Sequence, residues 1–299
     1  MQQRPTRPAR LDVGIVSAGR VGAVLGAALQ AAGHRVVAAS GVSDASRRRA
    51  RILLPGVPLL DVEQVVSRAE LLVLAVPGAA LVDLVVGLTE LRSWQAGQIV
   101  VHTSPRYGPQ VLEPALERHV LPIALHPAMR FSGNPVDLER LPDACFGVTC
   151  APALRPIGEA LAIELGGEPV WVEESARARY AASVSHAVDH LSVVVEQAAD
   201  LLADAEIPGG RRLLATLMLT ALEGALREGD DTSRVAALSD LDALRADLDT
   251  LHESAPDSRA VHLAMARAAA SRAIAAGLLP IPALDELFDV LTSPPTGPK

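Results

Sequence analysis

Lysine is almost missing from this sequence. Lys299, the last of 299 residues, is the sole one, and every other base is arginine or histidine. Chemistry that needs an interior lysine is excluded, which removes Schiff-base catalysis and P-loop phosphate binding. Aromatic residues are nearly as scarce: three Phe, two Trp and two Tyr. The core must be built from Ala, Leu and Val, and no stacking platform for nucleic-acid bases is expected. A formal charge of −8 also argues against the basic groove a nucleic-acid partner demands. The two cysteines, Cys145 and Cys150, share one short segment and make no disulfide framework, so a reducing, cytoplasmic setting is expected. Long apolar runs are lacking too. The most apolar stretch, Leu71 to Leu88, contains Pro77, Gly78 and Asp83 and reads as strand, turn and helix, not as a membrane span. Residues 1–10 are polar and Arg/Pro-rich, without the apolar core of a signal peptide.

What is present is a globular balance, with 49% hydrophobic and 21% charged residues, over a length that suggests two domains. The first half alternates short β-rich runs (Leu11–Val16, Arg35–Ala39, Leu71–Val76, Gln98–His102, Leu121–Leu125, Cys145–Cys150, Pro169–Val172) with helical stretches (Val21–Ala32, Asp44–Leu54, Ala79–Leu91, Gln110–Arg118, Arg155–Leu165). Such alternation predicts an α/β fold with a doubly wound, mostly parallel, Rossmann-type sheet. After Val172 the texture changes to Ala/Leu/Arg/Asp segments broken at Pro208-Gly209-Gly210, Gly229, Pro256, Gly277 and Pro280. That pattern predicts an all-α C-terminal domain of roughly four or five helices with a frayed tail at 293–299. The expected domains are 11–172 and 173–292.

The run Ser17-Ala18-Gly19-Arg20-Val21-Gly22 follows the first strand and opens the first helix, as a dinucleotide fingerprint requires. Ser17 stands where the first glycine of G-x-G-x-x-G is expected. Gly19 would let the backbone approach a pyrophosphate, and Gly22 would let helix and strand pack closely. The pyrophosphate would sit on the helix N-terminus. The second strand ends at Ser40-Gly41-Val42-Ser43 without a carboxylate, and Arg47, Arg48 and Arg49 follow. Hydroxyls and guanidinium groups suit a 2′-phosphate, so NADP is expected ahead of NAD, held by Ser40, Ser43, Arg47 and Arg48.

Three strand ends carry chemistry. One ends at Ala75-Val76-Pro77, an apolar surface for a nicotinamide ribose, with Val76 and Pro77 as contacts. The next ends His102-Thr103-Ser104, and the next His126-Pro127. Ligands in open α/β sheets lie outside such ends. Further on, Ser185-His186-Ala187-Val188-Asp189-His190 lies on a predicted helix. There Val184, Val188, Leu191 and Val195 form an apolar stripe, and His186, Asp189 and His190 face away from it. His186 and His190 at i,i+4 have the spacing of a zinc site, but no third ligand is near in sequence, so no metal is expected.

These segments resemble the β-hydroxyacid-dehydrogenase-like superfamily, which includes 6-phosphogluconate dehydrogenase, ketopantoate reductase, pyrroline-5-carboxylate reductase and prephenate dehydrogenase. Nearly the whole chain is similar to a bacterial family that joins a Rossmann-like domain to a C-terminal helical domain of unknown function. GIVSAGRVG (Gly14–Gly22), VLAVP (Val73–Pro77), VVHTS (Val100–Ser104), ALHPAMRFSG (Ala124–Gly133), FGVTC (Phe146–Cys150), GGEPVWV (Gly166–Val172) and SHAVDHL (Ser185–Leu191) carry the likeness. The chain departs from it at Ser17, at Pro105-Arg106-Tyr107, at Asp189 in place of Asn, and at Ser185 in place of the superfamily's common Lys.

The resemblance implies an NADP-dependent reductase or dehydrogenase acting on a small carbonyl or imine substrate between the domains. His126, which resembles the His-Pro turn of prephenate dehydrogenases, or His186 would be the acid/base, because imidazole titrates near neutral pH. Asp189 would orient a histidine, and His102, Ser104 and His190 would bind substrate. The competing reading is a non-catalytic NADP-binding sensor or partner protein. A homodimer through the helical domain is expected from superfamily members that resemble this chain.

Overall fold

The structure, a computed structural model, describes residues 10–227, 240–278 and 281–292, with 281–284 described by backbone alone. The chain divides between Ala187 and Val188 into two compact units.

The first unit is built on seven strands: β1 (Asp12–Val16), β2 (Arg35–Ala39), β3 (Leu71–Leu74), β4 (Ile99–His102), β5 (Leu121–Pro127), β6 (Cys145–Cys150) and β7 (Glu168–Trp171). They form one sheet in the order β2-β1-β3-β4-β5-β6-β7. Strands β1 to β5 are parallel, β6 runs antiparallel to β5, and β7 is parallel to β6. This is the mostly parallel, doubly wound sheet that the alternation predicts. Helices α1 (Arg20–Ala31), α2 (Asp44–Leu53), α3 (Val62–Val66), α4 (Gly78–Glu90), α5 (Val136–Arg140) and α6 (Arg155–Glu164) accompany it.

Strand β3 shows why the sheet is two-sided. Leu71 and Val73 pack with Ile15, Val24, Leu25 and Leu29 on one face, while Leu72 and Leu74 pack with Val65, Leu81 and Val85 on the other. Burial on both faces is why the strand reads as a continuous apolar run with no polar alternation. Phe146 and Trp94 are the fully buried aromatics of these two cores among the described residues, with Phe131, Trp171 and Tyr107 packed at their margins and aliphatic side chains doing the rest.

Three details differ from the sequence expectation. Residues Pro109–Arg118 form a 3-10 helix, because Pro114 inside it removes a backbone donor that an α-helix would use. Strand β5 runs on to Pro127, because antiparallel β6 pairs His126 with Gly147 and Pro127 with Phe146 beyond the end of β4. The short helices α3 and α5 carry too few residues to show a helical period.

Helix α7 (Arg177–Asp204) spans the division between the units. The second unit continues with α8 (Gly210–Leu226), α9 (Leu241–Ser254), α10 (Pro256–Ala275) and α11 (Ile281–Thr292). No strand follows Trp171 among the described residues. Leu244 and Leu248 of α9, Ala266, Ala270 and Ala273 of α10, and Leu287, Val290 and Leu291 of α11 form its core. Gly209 takes a left-handed φ of 74° where α7 gives way to α8, and Pro256 opens α10 at a position that needs no donor. Gly229, Pro280 and the tail 293–299 lie outside the described residues. No described helix is long and apolar enough to cross a membrane.

Candidate functional site

The strand order reverses between β1 and β3: the chain winds from β1 to β2, then crosses over to β3 on the far side of β1. That switch leaves a crevice outside the carboxyl ends of the strands. A cavity of about 440 Å³ lies there. Ser17, Gly19, Arg20 and Val21 line it after β1, Ala75 to Gly78 after β3, Thr103 to Pro105 after β4, and His126, Pro127, Met129 and Phe131 from β5 and beyond.

The turn after β1 is held by Ser40. Ser17 N–H donates to Ser40 Oγ at 2.9 Å, and Ala18 N–H donates to Ser40 O at 2.6 Å. Ser17 takes φ 73°, the left-handed geometry the fingerprint's first glycine usually supplies, at a cost of about 1–2 kcal/mol for a residue with a Cβ. The two glycines differ in kind. A Cβ on Gly22 would collide with Ser17 O and lie 3.0 Å from the Ala75 Cβ, so Gly22 is required for packing helix on strand. A Cβ on Gly19 would meet nothing nearer than Ser17 Oγ at 3.4 Å, and its φ is −72°. The protein's own packing does not require glycine at position 19; the missing Cβ keeps space open in front of α1. Helix α1 has no side-chain cap and no acid in its first turn, so its N-terminal N–H groups and dipole favour an anion. Ser17 to Gly22 therefore fit a dinucleotide pyrophosphate.

The residues after β2 have local partners. Ser43 caps α2, accepting from Ser46 N–H at 3.1 Å. Arg47 donates through Nε to Gly41 O at 3.3 Å and lies 3.5 Å from Asp44. Arg48 is exposed. Ser40, buried, adjoins the cavity through Ser17; Ser43, Arg47 and Arg48 do not line it. Arg49 packs toward the Gly133 loop.

Ser104 lines the cavity, but His102 lies behind it, wholly buried, with Nε2 3.1 Å from Gly108 O. Burial, helped by the Arg177 charge, brings its pKa down to about 4. His126 lines the cavity and is bonded through Nδ1 to the Tyr180 hydroxyl at 2.8 Å, the two rings meeting edge to face. Its pKa is also lowered to about 4, first by burial and then by Arg177. The expected titration near neutral pH is thus replaced by an imidazole that is neutral there.

Arg177 and Tyr180 escape a sequence reading. Arg177, 2% exposed, donates to Thr149 Oγ1 at 2.7 Å, to Gly147 O at 3.0 Å and to Ala124 O at 3.3 Å, bolting the start of α7 to the β5–β6 seam. Its guanidinium carbon lies 5.7 Å from the centre of the Tyr180 ring. Burial pushes the Tyr180 phenol upward, so it stays protonated. Arg177, Tyr180 and buried Ala181 follow i, i+3, i+4 spacing, the one sequence signal that this stretch of α7 has an inward face. His186, Asp189 and His190 lie further along α7, all exposed; Val184, Val188 and Val195 are half-buried, and Leu191 is 43% exposed.

The sequence matches the profile of a Rossmann-like domain over residues 2–127 and that of a domain of unknown function, DUF2520, over residues 144–269. No curated protein matches it. Among solved structures the chain is similar to BF3122 from Bacteroides fragilis, a candidate NADP oxidoreductase (18% identity, 87% of this chain and 98% of that chain, TM-score 0.71). It is also similar to an imine reductase from a Pseudomonas species (18% identity, 94% of this chain and 100% of that chain, TM-score 0.63). A third is the V8 variant of the Myxococcus stipitatus imine reductase in complex with NAD⁺ (20% identity, 94% of this chain and 100% of that chain, TM-score 0.56). At these identities the likeness establishes the fold. The chain thus joins a Rossmann-like domain to a DUF2520 domain that takes in β6 and β7 as well as helices of the second unit.

Proposed function

We propose that this chain is an oxidoreductase that uses a nicotinamide dinucleotide, NADP in preference to NAD, on a small carbonyl or imine substrate. The observation that carries the reading is the cavity at the strand switch point, open at Gly19 on one side and lined by His126 on the other. Ser17 to Gly22 would hold the pyrophosphate, and Val76 and Pro77 would face the nicotinamide ribose. When bound, the nicotinamide supplies or accepts two electrons and a hydrogen as hydride. The protein's part is to orient the substrate with Ser104 and His126, and to manage the proton at His126 Nε2, the ring nitrogen not engaged by Tyr180. Preference for NADP is supported by the absence of a carboxylate at the end of β2 and by Arg47 held over Gly41. Free Cys145 and Cys150 suit a reducing cytoplasm.

Purified protein should bind NADPH at least tenfold more tightly than NADH. His126→Gln should lower turnover about 100-fold, within the usual share of acid/base catalysis, and leave NADPH affinity unchanged. NADPH binding with turnover unaffected by His126→Gln would remove His126 from the chemistry.

We also propose a homodimer. Helix α8 has no buried residue, although Leu213, Leu217, Leu219, Leu222 and Leu226 are each 43% or more exposed. A second copy, covering this helix with the same helix about a two-fold axis, would bury that surface.

A further inference from the structure

The charges around the cavity discriminate between the two substrate classes. Arg20 is the formally charged residue lining it; no carboxylate does among the described residues. Behind His126 lies Arg177, a guanidinium removed from water. Its described partners are a hydroxyl and two carbonyls, its Nη1 has no acceptor, and no described carboxylate forms an ion pair with it. Glu174, whose Oε2 is buried without a hydrogen-bond partner, is the carboxylate that acts on it electrostatically, and burial pushes that carboxyl's own pKa up. A buried positive charge that no carboxylate directly hydrogen-bonds raises the potential of its surroundings and favours negative charge nearby. An imine is reduced most readily as its protonated, cationic form, which this site would repel and which no carboxylate here would balance. A carbonyl develops negative charge on oxygen, which the site would stabilise.

We propose that the cavity takes a neutral or anionic carbonyl compound (an aldehyde, ketone or 2-oxo acid), with Tyr180 passing a proton through His126 to its oxygen. The inference rests on the oxidoreductase reading and narrows it. In this scheme the Tyr180 phenol, 2.8 Å from His126 Nδ1, is the donor of that hydrogen bond, and the imidazole carries its own proton on Nε2. In the reducing direction a dihydronicotinamide gives hydride to the carbonyl carbon, and the C=O π pair moves onto oxygen. That oxygen takes the Nε2 proton while Nδ1 takes the Tyr180 proton. The products are an alcohol, oxidised nicotinamide, neutral His126 with its proton on Nδ1, and a tyrosinate beside the Arg177 guanidinium. The tyrosinate takes its proton back from Nδ1 while Nε2 takes one from solvent, which restores both groups with one proton consumed. Tyr180 and Arg177 are positioning residues in this scheme, because they act through His126.

Two measurements test it. Long-range ¹H–¹⁵N NMR of the ligand-free, full-length protein should show His126 neutral at pH 7 with its proton on Nε2. Tyr180→Phe, with an unchanged circular dichroism spectrum, should give mixed tautomers and a higher His126 pKa. A proton on Nδ1 in the wild type, or an indifferent Tyr180→Phe spectrum, overturns the relay. NADPH oxidation is then followed with a panel of aldehydes, ketones and 2-oxo acids and a panel of cyclic imines. At least tenfold faster turnover of the best carbonyl compound is expected, with a loss of roughly 100-fold in Tyr180→Phe. Preference for imines, or turnover of neither panel by protein that binds NADPH, overturns the substrate class. Failure to bind NADPH, read from its fluorescence, sinks the oxidoreductase reading and the substrate class with it, while the NMR result still judges the hydrogen bond by itself.

Discussion

Two histidines, His102 and His126, are held neutral in the first unit by burial and by the Arg177 charge. Both have folded pKa values of about 4 against an ordinary 6.5. The unfolded chain therefore binds more protons between these values, and stability falls as pH drops from about 6.5 toward 4. The loss should be about 2 kcal/mol per histidine between pH 7.5 and pH 5. Trp94 and Trp171 both lie in this unit, so urea unfolding followed by tryptophan fluorescence reports it directly. His102→Gln should flatten the pH dependence by about half. A midpoint that does not move between the two pH values would contradict the burial argument. His126 could be singled out from sequence because it closes a strand. Its partners could not, because Arg177 reads as one base in an Arg-rich helix start, and its role depends on β6 turning antiparallel against β5.

At the scale of elements, the sheet was legible because parallel strands buried on both faces leave uninterrupted apolar runs, as in Leu71–Leu74 and Ile99–Val101. The strand–turn–helix at residues 12–31 was legible because its glycines stand at fixed offsets. What each glycine does was not: Gly22 answers to Ser17 O and Ala75, while Gly19 faces open space. Gly22→Ala should destabilise the unit by about 2 kcal/mol or more, through overpacking against backbone that cannot yield. Gly19→Ala should cost less than 1 kcal/mol, since its φ suits any residue. Equal losses in chemical denaturation would contradict the distinction. Likewise, Ser40 and Ser43 are expected from the sequence to hold a 2′-phosphate because their hydroxyls follow β2 with no carboxylate before Asp44, but the turn after β1 and the cap of α2 take up much of their bonding. Hydrogen-bond partners of that kind are set by tertiary packing and leave no trace in spacing.

At the scale of the whole molecule, composition foretold an aliphatic core and an all-helical second unit, and both are present among the described residues. It did not foretell that α8 would have no buried residue and no part in the core that the described residues of its unit form. An isolated helix of that length is marginal in water, so its apolar surface needs cover. Light scattering at micromolar concentration should give twice the mass of 31.2 kDa. Leu217→Glu should shift the protein to monomer, because a charge buried in an interface core without a partner is strongly disfavoured. A monomer in the wild type at that concentration would remove the dimer.

The chemistry proposed for this chain depends on a dinucleotide entering the cavity beside Gly19. Its most direct test is titration of NADPH into the wild-type protein and into Gly19→Val, with thermal unfolding of both as the control for folding. Saturable binding by the wild type, at least tenfold weaker binding by Gly19→Val and a nearly unchanged unfolding midpoint are expected. Equal binding by the two proteins, or none by the wild type at millimolar NADPH, would contradict that placement of the dinucleotide.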